Sequence, residues 1–467
     1  MKSLIFLLVI FLQVFKLNSQ SITDVIMCDT LTYIEIIAMI ENDNGNIFKN
    51  SSESEQKRYN RWRAFYDNRV NNGEDIISYY LSMIDYLQGR NKNKSDMTIK
   101  PQWELLGPFD TPTSKSRIGQ VSSIAVDPSD PNTVFIGCSG GGIWRTHNAM
   151  AINPEDVVWQ CISDGFFSLG VTKIAIDPNN SDNVYCVNGL RVCGLIEDLN
   201  EYSTGIYKST DGGETWIQLD AFLPEEMVFV NNIVFDPFNA NTIYVLSDYS
   251  LYKSTDAGIS WDIIFNIIPE SNKYFRDIIF PNNSTIYLAG SNLLYKFSNN
   301  LLTDIKGNLL PTSDDYVISI DYNTQDFYIY ALYCSYDIEI NPPCNGNPNY
   351  RSGKLYKSSD GISWNSVGET GCICATYCLR LKVAPNGNIF AGGVRIQKLS
   401  YGASNFQNLQ TTPPHVIHDD TRDIDFGNAN DDVITFMGTD GGVVRNTTGS
   451  TSNWESINEP GLKTHKN

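Results

Sequence analysis

Positive charge is in short supply. Against 53 Asp and Glu, the 467-residue chain carries 34 Lys and Arg, for a formal net charge of -19. An acidic surface repels phosphate backbones and anionic lipid alike, which argues against nucleic acid as a partner and against electrostatic docking on a membrane. Long apolar runs are missing beyond the first 19 residues, so no later segment is suited to crossing a bilayer. No Cys-x-x-Cys pair with a matching Cys or His pair is present, which leaves a structural zinc site unsupported. The nearest approach is Cys372-Ile373-Cys374 with Cys378 close behind. Neither metal nor cofactor is expected.

The first 19 residues have the form of a secretory signal peptide. Lys2 gives a short basic start, Leu4 to Phe15 is almost wholly apolar, and Ser19 is a small residue suited to cleavage. That run is too short to span a membrane comfortably. The chain is therefore expected to be secreted or held at the cell surface. Ten cysteines in an exported chain point to disulfides rather than thiol chemistry.

Residues 20–98 differ from the rest. Gln56 to Val70 and Ile76 to Leu87 place apolar and aromatic residues at helical spacings, with Asn71-Asn72-Gly73 between them. The expectation is two or three helices, followed by a polar linker from Gly89 to Lys100.

From Gln102 a repeat takes over. One signal is a turn such as Ile124-Ala125-Val126-Asp127-Pro128, echoed at Ile174 to Pro178 and Ile233 to Pro237 and more weakly four times further on. The turn prolines or their equivalents sit at 128, 178, 237, 281, 322, 385 and 427. A second strand follows each turn. A third leads into another turn, seen three times: Lys208-Ser209-Thr210-Asp211-Gly212-Gly213-Glu214-Thr215-Trp216, Lys253-Ser254-Thr255-Asp256-Ala257-Gly258-Ile259-Ser260-Trp261, and the shorter Lys357-Ser358-Ser359-Asp360-Gly361-Ile362-Ser363-Trp364. Each Asp carboxylate can accept from turn amides, each Gly supplies a positive φ, and each Trp covers the turn. Seven four-stranded units at this spacing predict an all-β, seven-bladed β-propeller with a small N-terminal α-helical segment. The expected division is a signal peptide at 1–19, the helical segment and linker at 20–98, the propeller at 99–458 and a tail at 459–467. Trp103 to Pro108 has no unit of its own and is expected to add a strand to the last blade, closing the ring.

These turns resemble the Asp-box, or BNR, repeat of sialidase-like propellers, with Ser209, Asp211, Gly213, Trp216, Ser254, Asp256, Gly258, Trp261, Ser358, Asp360, Gly361 and Trp364 as its structural residues. Three stretches are also similar to secreted propellers of the Bacteroidetes related to sortilin-type and xyloglucanase-type proteins. They are Lys57 to Val70; Trp103 to Pro108 with Ser116 to Gln120 and Gly140 to Thr146; and His415 to Arg422 with Gly438 to Arg445. Relatives of that family often end in a type IX secretion sorting domain, which is absent here. A truncated remnant of a two-propeller protein is accordingly one expectation.

The Asp-Pro turns and Asp-boxes fall on one face of the repeat, because two strands separate them. The other face carries the second-to-third-strand loops and the links between blades. Cys186, Cys193, Cys334, Cys344, Cys372, Cys374 and Cys378 border or occupy its loops and are the disulfide candidates. Bridges there would preorganise a binding surface or simply staple long loops. A sialidase is disfavoured, since Arg117-Ile118 is followed by Gly119 rather than Pro. A xyloglucanase-like hydrolase needs two carboxylates. The resemblance puts the first in the Cys138-Ser139-Gly140-Gly141-Gly142 loop, where Ser139 stands instead of an acid. Asp440, Asp419 and Asp420 are the candidate catalytic carboxylates; His415, His418, Arg422, Arg117 and Ser139 are candidate ligand-binding residues. The alternative is that Asp440 caps its own glycine turn and Asp419 and Asp420 are solvated. The preferred function is a monomeric binding protein for an extracellular protein or glycan, acting through the loop face. The alternative is a glycoside hydrolase using Asp440 with Asp419 or Asp420.

Overall fold

The structure, a computed structural model, describes parts of residues 22–82 and most of 119–458; within the latter, 165, 167–168, 190–202, 204, 220–228, 271–272, 307–315, 336–350, 375–378, 410–416, 418–419 and 430–431 lie outside the description. The chain divides into two compact units, one N-terminal and one holding the strands.

The N-terminal unit contains α1 (Tyr33–Glu41), α2 (Ile47–Asn50) and α3 (Glu53–Tyr66). Ser52 starts α3 with a reciprocal capping box: its hydroxyl accepts from the Glu55 amide at 3.3 Å, and the Glu55 carboxylate accepts from the Ser52 amide at 2.9 Å. Helical spacing buries Tyr33, Ile36 and Ile40 on α1 and Tyr59, Trp62 and Tyr66 on α3. The Tyr33 and Trp62 rings meet at 5.3 Å between centroids. Both buried tyrosines keep their hydroxyls satisfied, Tyr33 on Asp67 and Tyr59 on Glu41, each at 2.7 Å.

The second unit is built from antiparallel four-strand meanders. The 121–161 sheet comprises β1 (Val121–Val126), β2 (Val134–Cys138), β3 (Ile143–Thr146) and β4 (Gln160–Cys161) in that order, and the same order recurs in sheets spanning 171–219, 230–266, 380–408 and 421–456. Residues 274–304 and 316–374 each form such a meander too, and the two merge into one eight-stranded sheet through the pairing of Ser291 with Val317. The sheet at 421–456 is complete with Glu455–Ser456 as its fourth strand. Trp103 to Pro108, expected to add a strand to this sheet, lies outside the described residues.

Hydrophobic clusters lie between consecutive sheets. Phe135 and Ile143 of the 121–161 sheet pack on Ile174 and Val184 of the next, and Tyr185 and Val187 pack on Ile233 and Val245 of the one after. The last sheet packs on the first: Ile434, Phe436 and Val443 share a core with Ile124, Val134, Ile136 and Trp159. Because the apolar residues of each strand alternate, both faces of every sheet are covered by a neighbour, and the arrangement closes on itself.

The innermost strand of each meander is an edge with unpaired amides. Side chains of the adjacent sheet supply the missing acceptors. Asp423 accepts from the Ile124 amide at 3.1 Å, Ser123 from Ile174 at 3.0 Å, Asp277 from Ile320 at 3.1 Å and Ser319 from Leu381 at 2.9 Å. Two residues further along, Asp425 accepts from Val126 and Asp321 from Val383, both at 2.8 Å. Where the equivalent residue is a donor it meets a carbonyl instead: Asn232 reaches Arg276 O at 3.3 Å, and Arg380 Nε reaches Arg422 O at 2.7 Å. These side chains do between sheets what a ladder does within one.

The three glycine turns close by a shared scheme. Ser209 Oγ accepts from the Gly213 amide at 2.8 Å, and the Asp211 carboxylate accepts from the Thr215 amide at 2.9 Å and its hydroxyl at 2.6 Å. Ser254, Asp256, Gly258 and Ser260 repeat these bonds. In the shorter turn Ser358 holds Gly361, and Asp360 takes the Ile362 and Ser363 amides at 2.8 and 2.7 Å. Gly213, Gly258 and Gly361 all have positive φ. Trp364 is buried, and Trp261 donates to Gly258 O at 3.1 Å.

Among the described residues no disulfide is present. Cys186 is a wholly buried thiol within the core between the first two sheets, and Cys372 is a half-buried free thiol. Cys334 is buried on the 316–374 strands. Cys193, Cys344, Cys378 and the side chain of Cys374 lie outside the described residues.

Candidate binding site at the mouth of a central channel

The innermost strands surround an open channel. Its lining follows from the repeat. The residue before the buried apolar position of the inner strand lines it in five sheets, as Lys173, Asn232, Asp277, Arg380 and Asp423, whereas Ser123 and Ser319 at that position are buried. The residue before that lines it as Ser122, Thr172, Asn231, Arg276 and Arg422. These positions sit near the start of each inner strand, on the side where one meander links to the next. Ser139, in the β2–β3 loop, and Gln120, just ahead of β1, line the same end. The channel therefore opens on the face of the second-to-third-strand loops.

Asp440 lies at this mouth in a closed set of contacts. Arg422 Nε donates to its Oδ1 at 2.6 Å and an Arg422 terminal nitrogen to its Oδ2 at 2.8 Å. Gln120 Nε2 donates to Oδ1 at 2.9 Å, and Ser139 Oγ donates to Gln120 Oε1. A bidentate guanidinium–carboxylate pair fixes both planes. Arg422, Ser139 and Asp440, expected from sequence as site residues, are thus brought together, with Gln120 as the link that sequence reading missed. Asp420 has φ of 68° and its amide donates to Val394 O at 3.0 Å, which pins its backbone to the preceding meander. Asp419, His415, His418 and Arg117 lie outside the described residues. Among the described residues no group of three or more His, Cys, Asp or Glu is placed to hold a metal.

Deeper in, the channel carries alternating charge. Lys173 pairs with Asp423, whose carboxylate also holds the Ile124 amide. Lys382 is surrounded by carboxylates: burial would lower its pKa, but Asp321, Asp423, Asp277 and Asp425 hold it above the usual lysine value. Burial pushes the Asp277 and Asp425 carboxyls upward, opposed for Asp277 by Arg276 and Ser319. The column of polar residues was readable once the inner strands were aligned on their buried Ile or Leu, because a charged residue beside a core position demands a partner.

Four-stranded antiparallel sheets repeated around a central channel, with the last packed on the first, define a β-propeller. No protein-family model matches the chain, and no curated protein matches it. Among solved structures it is similar to the GH74 enzyme of Niastella koreensis, with 18% identity and a TM-score of 0.52 over 74% of this chain and 56% of that one. It is similar to the GH74 xyloglucanase of Xanthomonas campestris, with 14% identity and a TM-score of 0.52 over 72% and 52%. The extracellular domain of a hybrid two component system of B. thetaiotaomicron matches at 13% identity and a TM-score of 0.50, over 73% and 40%. At these identities the likeness is one of fold, and the chain spans about half the length of these structures or less. Among the described residues no helix is long and apolar enough to cross a membrane.

Proposed function

We propose that the chain is an exported ligand-binding β-propeller of seven four-stranded blades, its turns at Ser209–Trp216, Ser254–Trp261 and Ser358–Trp364 being Asp-boxes, which takes an extracellular glycan or protein on its loop face. The observation that carries this reading is the state of Asp440. The hydrolase alternative needs that carboxylate to face a scissile bond, and a second acid to protonate the leaving group. Both oxygens of Asp440 are engaged by Arg422, and Gln120 takes one of them again. An acid held this way is suited to ordering the rim of a channel. The polar, open mouth that it frames supports binding. The fold likeness to xyloglucanases and to an extracellular sensor domain is compatible with a carbohydrate-related or ligand-binding role.

The test is a polysaccharide and glycan-array screen on the mature chain, with reducing-sugar release measured in the same wells. Binding without release is expected. Release that disappears in Asp440→Asn would overturn the reading in favour of a hydrolase.

A further inference from the structure

One cross-strand pair recurs in every four-strand meander. The second strand places an aromatic side chain directly opposite a cation on the third: Phe135 with Arg145, Tyr185 with Lys208, Tyr244 with Lys253, Tyr287 with Lys296, Tyr330 with Lys357, Phe390 with Lys398 and Phe436 with Arg445. Directly opposed residues share one face of their sheet. Each of these aromatics lies in the hydrophobic cluster shared with the next sheet, so the pair always faces that neighbour. A cation beside a core position calls for a partner.

Where the next sheet carries one of the three glycine turns, the pair locks onto it. The aromatic seats on the turn's positive-φ glycine: a Cβ added to Gly213 would stand 3.2 Å from Phe135, one on Gly258 3.4 Å from Tyr185, and one on Gly361 2.1 Å from Tyr287. The cation takes the carbonyl just before that glycine. Arg145 donates to Gly212 O at 2.6 Å, Lys208 to Ala257 O at 3.1 Å and Lys296 to Asp360 O at 3.4 Å. Tyr185 and Tyr287 donate their hydroxyls to the same oxygens, Ala257 O and Asp360 O, at 2.8 Å. The Ser and Asp side chains close the turn by taking its amides, which leaves this carbonyl to a donor from outside. Lys398 and Arg445 reach across their own junctions, to Gly449 O and to Ala151 O. Two pairs stay open. Lys253 and Lys357 lie over the Tyr244 and Tyr328 rings at 5.5 and 4.6 Å and make no hydrogen bond or ion pair among the described residues. The paired hydroxyls turn back to an acid of their own sheet, Tyr330 to Asp326 at 2.7 Å and Tyr244 to Asp236. The sheets they face have no such glycine turn. Asn299 and Asn300 alone join the third strand to the fourth in one, and the other turns through Ser400–Ala403.

We propose that the aromatic–cation pair is an inter-sheet latch and that the glycine turn is its socket, so that each such turn fastens its own sheet to the one before it. This gives the turn a second task beside closing a hairpin. Its Ser and Asp fix the backbone, its glycine admits the aromatic, and the carbonyl before the glycine receives a charge-assisted hydrogen bond. Between 230–266 and 274–304, and between 316–374 and 380–408, the latch is present without a socket, and the cation there fastens nothing. The inference concerns how the ring is held and is independent of what the loop face binds.

The experiment is hydrogen–deuterium exchange on the mature chain, read peptide by peptide, with Lys208→Met set against Lys253→Met. The two lysines hold the same position in adjacent sheets, and methionine keeps the apolar stem while removing the donor. Lys208→Met should speed exchange about tenfold in the Ser254–Trp261 turn, the effect of losing one hydrogen bond to a charged donor, and should lower the melting midpoint. Lys208→Arg, which keeps a donor, should stay close to the parent on both readouts. Lys253→Met should leave the melting midpoint and exchange across Leu294–Asp304 at parent values. Equal effects of the two methionine variants overturn the latch, as does exchange that rises alike in every sheet of Lys208→Met. Tyr185→Phe, which takes one hydroxyl from Ala257 O, serves if Lys208→Met does not fold; parent-like exchange at Ser254–Trp261 in that variant overturns the proposal.

Discussion

Replacing Arg445 by Met should open the molecule at one place. Arg445 is 3% exposed and bridges the last sheet to the first. Its guanidinium donates to Ala149 O and to Ala151 O, the second at 2.6 Å, and to Glu455 at 3.0 Å within its own sheet. Methionine keeps much of the apolar stem and removes every donor. The Glu455 contact is partly exposed and counts for little. The two carbonyl contacts are hydrogen bonds to a charged donor, worth roughly 1.5–3 kcal/mol each, and Ala149 is left with a buried orphan oxygen. The expected loss is about 3–5 kcal/mol, measured by equilibrium urea unfolding. Location is the sharper readout. Amide exchange should rise in Val121–Val126 and Thr421–Ala429, which meet at the seam, and stay unchanged in Ile243–Ser247, which belong to neither seam sheet. Arg145→Met is the control, because Arg145 donates to Gly212 O and Glu214 of the second sheet and not across the seam. A loss below about 1 kcal/mol, or exchange that rises equally at Ile243–Ser247, would refute the claim that Arg445 fastens the ring.

Further expectations concern the turns and the thiols. The carboxyls of Asp211, Asp256 and Asp360 are held down at about 2, by the Thr215 hydroxyl, the Ser260 hydroxyl and the Ser363 amide respectively. An acid depressed in the folded state stabilises it above the unfolded value of about 3.9 and loses that contribution as pH falls toward 2. The triple change to Asn should therefore make the decline in melting temperature between pH 4 and pH 2 shallower; a decline identical to the parent's would exclude these turns as its source. Gly361→Ala should cost about 3 kcal/mol, since φ is +74° and the new Cβ would stand 2.1 Å from Tyr287 Cε1. Gly140→Ala, with nothing within 4 Å of the added Cβ, should be near neutral in the same denaturation assay. The Cys186 thiol, wholly buried and pushed upward by desolvation, should stay silent to a thiol reagent in native buffer and react in urea without reductant. Reaction only after reductant is added would show that it is bridged.

What the sequence determined by itself was the repeat. Period-two alternation, Asp-Pro turns and the Ser-x-Asp-x-Gly turns are local signals, because a turn's hydrogen bonds join residues two to four positions apart. Ser209 with Asp211 and Gly213 could be read without knowing the fold. The capping box at Ser52 and Glu55 belongs to the same class. The tertiary structure alone decided which distant residues met. Asp423 and Ile124 are 299 positions apart, as are Asp425 and Val126. Only the closing of the last sheet on the first brings each carboxylate to its amide. Closure also brings Gln120, just ahead of the first strand, to Asp440 of the last sheet, where Arg422 already holds both oxygens. A sequence shows that Asp440 precedes two glycines, which suggests either a catalytic acid or a turn cap. It does not show that an arginine 18 positions earlier lies on the neighbouring strand with its guanidinium against both oxygens. The charged channel has the same origin. Each inner strand contributes one or two polar residues that look unremarkable alone, and the lining they form exists only when the strands stand around a common axis.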